Sequence, residues 1–154
     1  MDIKNVISVK NLNKIYSKKN NKPIHAINNL NLDVQEGEIF GLLGPNGAGK
    51  TTFINILAGT VIKSSGDINV WGFNIDKNPR QVRASIGIVP QEVNLDPFFT
   101  PKKQLELQAG LYGVKKKDRI TDTILKLVSL ENNANNYARS LSGGMRRRLL
   151  IAKS

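Results

Sequence analysis

Residues 44–51 read Gly44-Pro45-Asn46-Gly47-Ala48-Gly49-Lys50-Thr51, a spacing of glycines, lysine and threonine that can hold a polyphosphate. The glycines let backbone N–H groups turn inward around the anion. Lys50 reaches the β- and γ-phosphates, and the Thr51 hydroxyl can ligate Mg²⁺. Candidate phosphate contacts are Gly44, Asn46, Gly47, Ala48, Gly49, Lys50, Thr51 and Thr52. Such a loop needs a strand before it and a helix after it, so that free amides and the helix dipole both face the anion. The apolar run Ile39-Phe40-Gly41-Leu42-Leu43 is expected to be a buried parallel strand. Thr51 to Ala58 is expected to be a helix closed by Gly59. The plain alternative is a glycine turn that joins the two and binds nothing.

A second place in the chain offers the same chemistry. In Leu141-Ser142-Gly143-Gly144-Met145, Ser142 is a good N-cap and the two glycines expose the first amides of the helix that follows. Taken alone, Ser-Gly-Gly also fits a flexible loop. Arg146, Arg147 and Arg148 follow inside that helix start, where each cation opposes the dipole by about 0.3–1 kcal/mol. Either an acidic partner offsets this or the three arginines are simply solvated.

Around these two sites the patterning predicts a strand from Ile3 to Lys14 and a polar turn from Lys18 to Pro23. A second strand runs from Ile24 to Val34, with Leu30, Leu32 and Val34 on one face. Gly66 to Ile75 reads as a strand or hairpin, and Pro79 can open a short helix. Ile86-Gly87-Ile88-Val89 reads as a short apolar strand stopped by Pro90. Thr100-Pro101 supplies a cap and a first-turn proline for a helix to about Tyr112. Asp118 to Leu130 has the spacing of an amphipathic helix, and Glu131 to Tyr137 reads as an Asn-rich linker.

The chain of 154 residues is 40% hydrophobic and 23% charged, an ordinary globular balance for one domain with a real core. With no cysteine, a disulfide framework and thiol-based metal or redox chemistry are excluded. No apolar stretch approaches the roughly 20 residues of a membrane span, and Met1-Asp2-Ile3-Lys4 is not followed by a signal-peptide core. The expectation is therefore a cytoplasmic chain. The formal charge of +11 fits an anionic partner such as nucleic acid, a membrane face or a nucleotide; it fits solubility equally.

With the phosphate loop at Gly44–Thr52, Gln91, and Leu141-Ser142-Gly143-Gly144-Met145 in this order, the chain resembles the ATP-binding cassette (ABC) ATPases along its whole length. The resemblance implies an α/β fold. Its P-loop NTPase core has a parallel sheet, joined by an antiparallel β subdomain and a helical signature subdomain. Residues 1–91 would form the core and β subdomain, 92–140 the helical subdomain, and 141–154 the signature and the start of its helix. Tyr16 stands where the family's adenine-stacking aromatic should be; otherwise it is a half-buried strand tyrosine. Gln91 would touch Mg²⁺ or the attacking water; otherwise it is a surface glutamine.

Met145 replaces the family's glutamine. The Met145-to-Arg148 run resembles the exporter branch that moves drugs, polysaccharides and lipid-linked sugars, as does Val89-Pro90-Gln91-Glu92 through Asp96-Pro97-Phe98. The implied cofactors are ATP and Mg²⁺. The implied partners are a second ABC subunit in a head-to-tail dimer and a membrane-spanning permease, with the chain peripheral on the inner face of the cell membrane. A soluble ABC ATPase acting on nucleic acid or the ribosome is the alternative, less favoured because long coiled coils or a second cassette are missing. No apolar strand ending in Asp-Glu is found, and the only histidine, His25, precedes the phosphate loop and is assigned no catalytic role. The expectation is a truncated chain that does not hydrolyse ATP by itself.

Overall fold

Asn-Leu-Asn occurs twice, as Asn11-Leu12-Asn13 and Asn29-Leu30-Asn31, and the first sheet is organised around this pair. The computed structural model describes residues 4–17 and 22–154. Ile3, at the start of the first expected strand, and residues 18–21 of the expected polar turn lie outside the described residues. Strands β1 (Asn5–Tyr16) and β2 (Ile24–Gln35) pair antiparallel. From Val9↔Leu32 to Leu12↔Leu30, β1 advances by one residue more than β2; from Leu12↔Leu30 to Lys14↔Ile27 the excess is on β2. The two bulges cancel.

Asparagine suits these positions because its short polar side chain tolerates left-handed backbone. Asn11 and Asn29 have φ of 50° and 49°. Asn31 Oδ1 accepts from the Asn11 N–H at 2.8 Å, and Asn13 Oδ1 accepts from the Asn29 N–H at 2.9 Å. In return, Asn13 Nδ2 donates to the Asn11 carbonyl and Asn31 Nδ2 to the Asn29 carbonyl. Backbone groups orphaned by the bulges are thus satisfied reciprocally.

Strand β3 (Ser65–Val70) adds to the other edge of β1, and a two-residue turn at Trp71-Gly72, φ 51° and 81°, leads into β4 (Phe73–Asn74). Left-handed backbone at both turn positions matches the twist of a hairpin. The sheet order is β2-β1-β3-β4, antiparallel throughout. Helix α1 (Lys50–Leu57) and helix α2 (Pro79–Ala84) follow from the expected signals. Phe53, Ile56 and Val82 join Val9, Leu12 and Ile68 in one buried cluster. These elements lie in a compact unit, Met1–Gly87.

Two expected strands, the first of them expected to be parallel, are corrected. Residues 39–43 and 86–89 form neither strand nor helix, and no parallel sheet occurs among the described residues. Ile39 is 100% exposed and Leu43 93%. An apolar run becomes a strand only where another strand offers a hydrogen-bonding edge, and no described strand pairs with either run. The α/β class holds, carried here by helices and an antiparallel sheet.

The second unit, Ile88–Ser154, is helical. Helix α3 (Pro101–Leu111) opens on Thr100, whose hydroxyl accepts from the Lys103 N–H at 3.2 Å. A 3-10 turn at Lys116–Asp118 precedes α4 (Thr121–Leu127), which is shorter at both ends than the spacing predicted. Ser129, at φ 52°, stops it. The expected linker 131–137 starts with a 3-10 turn at Glu131–Asn133, next to the fully buried Leu130. Helix α5 (Gly143–Lys153) completes a core of Leu105, Leu125, Leu130, Leu141 and Leu149.

Across α3 and α4, Arg119 Nη1 donates to Glu106 Oε2 at 2.6 Å and the Thr121 hydroxyl donates to Glu106 Oε1. The Thr121 hydrogen bond first, and the Arg119 bond second, hold the Glu106 carboxyl below its ordinary value of 4.5. A depressed folded-state pKa gives stability that is present above 4.5 and lost as pH falls through the folded value. Comparing thermal midpoints with Glu106→Gln checks this: the wild-type advantage at pH 7 should shrink as pH drops below 4.5. A difference that stays constant down to pH 3, roughly, would show that the ionised carboxylate is not what holds these helices.

Candidate functional site

Gly47 and Gly49 both have left-handed backbone, φ 85° and 83°, which only glycine adopts without strain. Gly49 is the N-cap of α1, and its carbonyl accepts from the Phe53 N–H at 2.8 Å. A Cβ on Gly49 would overlap the carbonyl oxygen of Ala26 on β2, so glycine here lets the loop lie directly on the sheet. At the far end, Gly59, φ 73°, donates to the Ile56 carbonyl at 3.0 Å and ends the helix as expected. Between these ends, buried Phe53, Ile56 and Leu57 hold α1 in the core.

No side chain caps the N-terminus of α1, and its first turn carries no acidic residue, so its positive dipole end is not neutralised locally. Lys50 Nζ donates to the carbonyls of Gly44 and Pro45 at 2.6 and 2.7 Å. The ammonium is therefore held back over its own loop. An open groove of about 430 Å³ is lined by His25, Asn28, Leu43, Gly47, Lys50 and Phe53 among others, and no carboxylate lines it. An uncapped helix start with a lysine and no competing anion is suited to a phosphate chain.

Gly44, Asn46, Gly47, Ala48, Gly49, Lys50, Thr51 and Thr52 are brought together by the loop itself; of these, Gly47 through Lys50 line the groove. His25, assigned no catalytic role from sequence, lines it too. Tyr16 does not. It ends β1, 39% exposed, with Lys14 Nζ 4.6 Å from its ring centroid. Lys14 is itself anchored by donating to the Ile62 carbonyl at 2.8 Å, so one face of the ring carries a fixed cation.

Gln91 and Ser142-Gly143-Gly144 belong to the second unit. Ser142 caps α5 as expected, its Oγ accepting from the Met145 N–H at 3.3 Å, which leaves its hydroxyl proton available. Gly143 and Gly144 face open space. Two of the three arginines are neither acid-paired nor simply solvated. Arg147 Nη1 donates to the carbonyls of Pro90 and Gln91, both at 2.8 Å. Arg148 Nη1 donates to those of Val128 and Ser129, at 2.9 and 3.0 Å. Backbone carbonyls supply the compensation expected from acids. Nothing in the sequence near Arg147 marks a bond to residues 56 and 57 positions away.

Among the described residues no group of three or more His, Cys, Asp or Glu side chains could hold a metal ion, and no helix is long and apolar enough to cross a membrane. The sequence pattern of the ABC transporter family matches residues 27–154. The chain is 42% identical over 131 residues to the Nod factor export ATP-binding protein I of Cupriavidus pinatubonensis, covering 84% of this chain and 40% of that protein. It is 37% identical over 149 residues to the linearmycin resistance ATP-binding protein LnrL of Bacillus subtilis, covering 95% of this chain and 46% of that one. The chain thus spans about half the length of the curated relatives it matches. Among solved structures, an ATP-binding subunit of an ABC transporter superposes with a TM-score of 0.78 at 25% identity, covering 97% of this chain and 61% of the other. The ATP-binding cassette MJ0796, a dimer in a post-hydrolysis state bound to ADP and Pi, gives 0.77 at 28% identity, covering 96% and 68%.

Proposed function

Because the chain belongs to the ABC transporter family, we propose that it is part of the ATP-binding subunit of a membrane exporter, coupling ATP binding and hydrolysis to transport. The observation that carries this is the loop from Gly44 to Thr51, with left-handed Gly49 opening the uncapped α1 beneath Lys50. Export is supported by the relatives, whose names describe Nod factor export and linearmycin resistance.

Lys50 would leave the carbonyls of Gly44 and Pro45 for the β- and γ-phosphates, a stronger charge-assisted pairing. The amides from Gly47 to Thr52 would bind the same oxygens. Thr51 and Gln91 offer a hydroxyl and an amide oxygen, hard donors that suit Mg²⁺ when phosphate oxygens complete its shell. Mg²⁺ would supply neutralisation of phosphate charge. Ser142 has a free hydroxyl proton, and Gly143 and Gly144, the first two residues of α5, have amides without a partner among the described residues, for the γ-phosphate of a nucleotide held by a second subunit in a head-to-tail dimer. A permease would anchor the pair on the cytoplasmic side of the cell membrane.

Titration of the full-length subunit with fluorescent ATP tests the reading: unlabelled ATP should displace the probe, whereas inorganic phosphate at the same concentration should not. Equal displacement by both would reduce the loop to a simple anion site. Tyr16→Ala should weaken ATP by about tenfold, on the scale of ~1–3 kcal/mol for a base stacked on an aromatic ring. Tyr16→Trp should keep the affinity, because the ring face away from Lys14 is what adenine would use. Equal loss in both variants would leave Tyr16 a packing residue.

A further inference from the structure

We infer that Arg147 is a positioning residue that ties the Gln91 segment to the helix starting at Ser142-Gly143-Gly144; this rests on the reading of Gln91 as a group at this subunit's own nucleotide and of that turn as one at the nucleotide of a second subunit. Residues 88–93 form neither helix nor strand. Among the described residues, the only hydrogen bonds linking 88–93 to another part of the second unit are the two from Arg147 Nη1, to the carbonyls of Pro90 and Gln91. The segment's other bond, from the Asn94 N–H to the Glu92 carbonyl, is local.

A guanidinium is rigid and always charged, so its bonds to neutral carbonyls are stronger than an amide's and fix direction as well as distance. Arg147 lies in the second turn of α5, a few residues beyond the glycines whose amides would meet a partner's γ-phosphate. The neighbouring Arg148 points to the other side of the helix and holds the carbonyls of Val128 and Ser129, just past α4. The rest of the unit is thus fastened to α5 independently of Arg147. These two bonds give a shift of α5 on engaging a phosphate a direct route to the Gln91 backbone.

Residues 1–154 contain no cysteine, so within them Glu92→Cys gives one site for a nitroxide label, on the exposed segment; any cysteine elsewhere in the full-length subunit is replaced by serine. The first measurement needs no nucleotide. Arg147→Ala should narrow the electron paramagnetic resonance lines of the label, Arg147→Lys should restore most of the original width, and Arg148→Ala should leave it unchanged. An unaltered spectrum in Arg147→Ala, or equal narrowing in Arg148→Ala, would overturn the tether. The second measurement uses the full-length subunit with its membrane partner. Arg147→Ala should lower kcat for ATP by about tenfold, the scale seen when a residue orienting a ligand group is removed, with KM within roughly twofold. In a Gln91→Ala background it should cost nothing more, because both act through one group; a full further loss would sink the inference. Normal turnover in Gln91→Ala alone would instead overturn the reading of Gln91, an outcome distinct from failure of the tether, which the label reports without nucleotide.

Discussion

Lys50→Ala is expected to weaken ATP binding by roughly 30- to 150-fold and to abolish hydrolysis by the full-length subunit, while leaving the fold intact. The scale follows from a hydrogen bond to a charged group, about 2–3 kcal/mol, with tenfold for every 1.4 kcal/mol. Hydrolysis suffers more than binding because charge neutralisation at the γ-phosphate matters most in the transition state. Stability should barely change. The carbonyls that Lys50 now bonds belong to Gly44 and Pro45, both exposed, so water replaces the ammonium. ATP titration and a thermal melt on the same preparation separate the two effects. Unchanged affinity would mean that the loop is not the nucleotide site; a melt lowered by 10 °C or so would mean that Lys50 is structural.

Gly49→Ala should be the most damaging single change in the loop, and Gly47→Ala a mild one, although both residues have φ near 85°. Each substitution carries a left-handed backbone cost of about 1–2 kcal/mol. At Gly47 nothing lies within 4 Å of the added methyl. At Gly49 it would overlap the Ala26 carbonyl oxygen, which cannot yield without moving β2. The helix cannot yield either without unseating Phe53, Ile56 and Leu57. Overpacking adds about 1–3 kcal/mol, so the thermal midpoint should fall by roughly 4–20 °C for Gly49→Ala against roughly 2–8 °C for Gly47→Ala. Equal drops would mean that the conformational cost alone explains the glycines, and that contact with Ala26 contributes nothing.

Legibility in sequence followed the range of the interaction. The loop and α1 could be read because Gly47, Gly49 and Gly59 are each demanded by their own backbone torsions, and Thr100 and Ser142 cap helices three residues away. Leu30, Leu32 and Val34 could be placed on one face because alternation is local, whereas Ile27 falls out of phase through a bulge whose partner residue is on β1. Ile39–Leu43 misled for the same reason in reverse. Its composition describes a buried strand, but pairing depends on a second strand that no local pattern reveals. The Glu106–Arg119–Thr121 cluster and the reach of Arg147 to Pro90 were invisible, since Glu106, Arg119 and Arg147 each look like an ordinary surface charge and Thr121 like an ordinary helix-start hydroxyl.

The paired Asn-Leu-Asn bulges mark where these strands can change length. Losing Asn11 alone would remove the extra residue from β1 and leave a regular ladder, with Val9 still opposite Leu32 and Leu12 opposite Leu30. Losing a residue at Asn28 or Asn29 alone would do the same on β2, with Leu30 still opposite Leu12 and Ile27 opposite Lys14. Losing one from each strand would leave a plain ladder with Val9, Leu12 and Ile27 still inside. Each bulge can therefore be lost without the other, and what a single loss takes away is one half of the reciprocal bonding: Asn11 N–H to Asn31 Oδ1, or Asn29 N–H to Asn13 Oδ1.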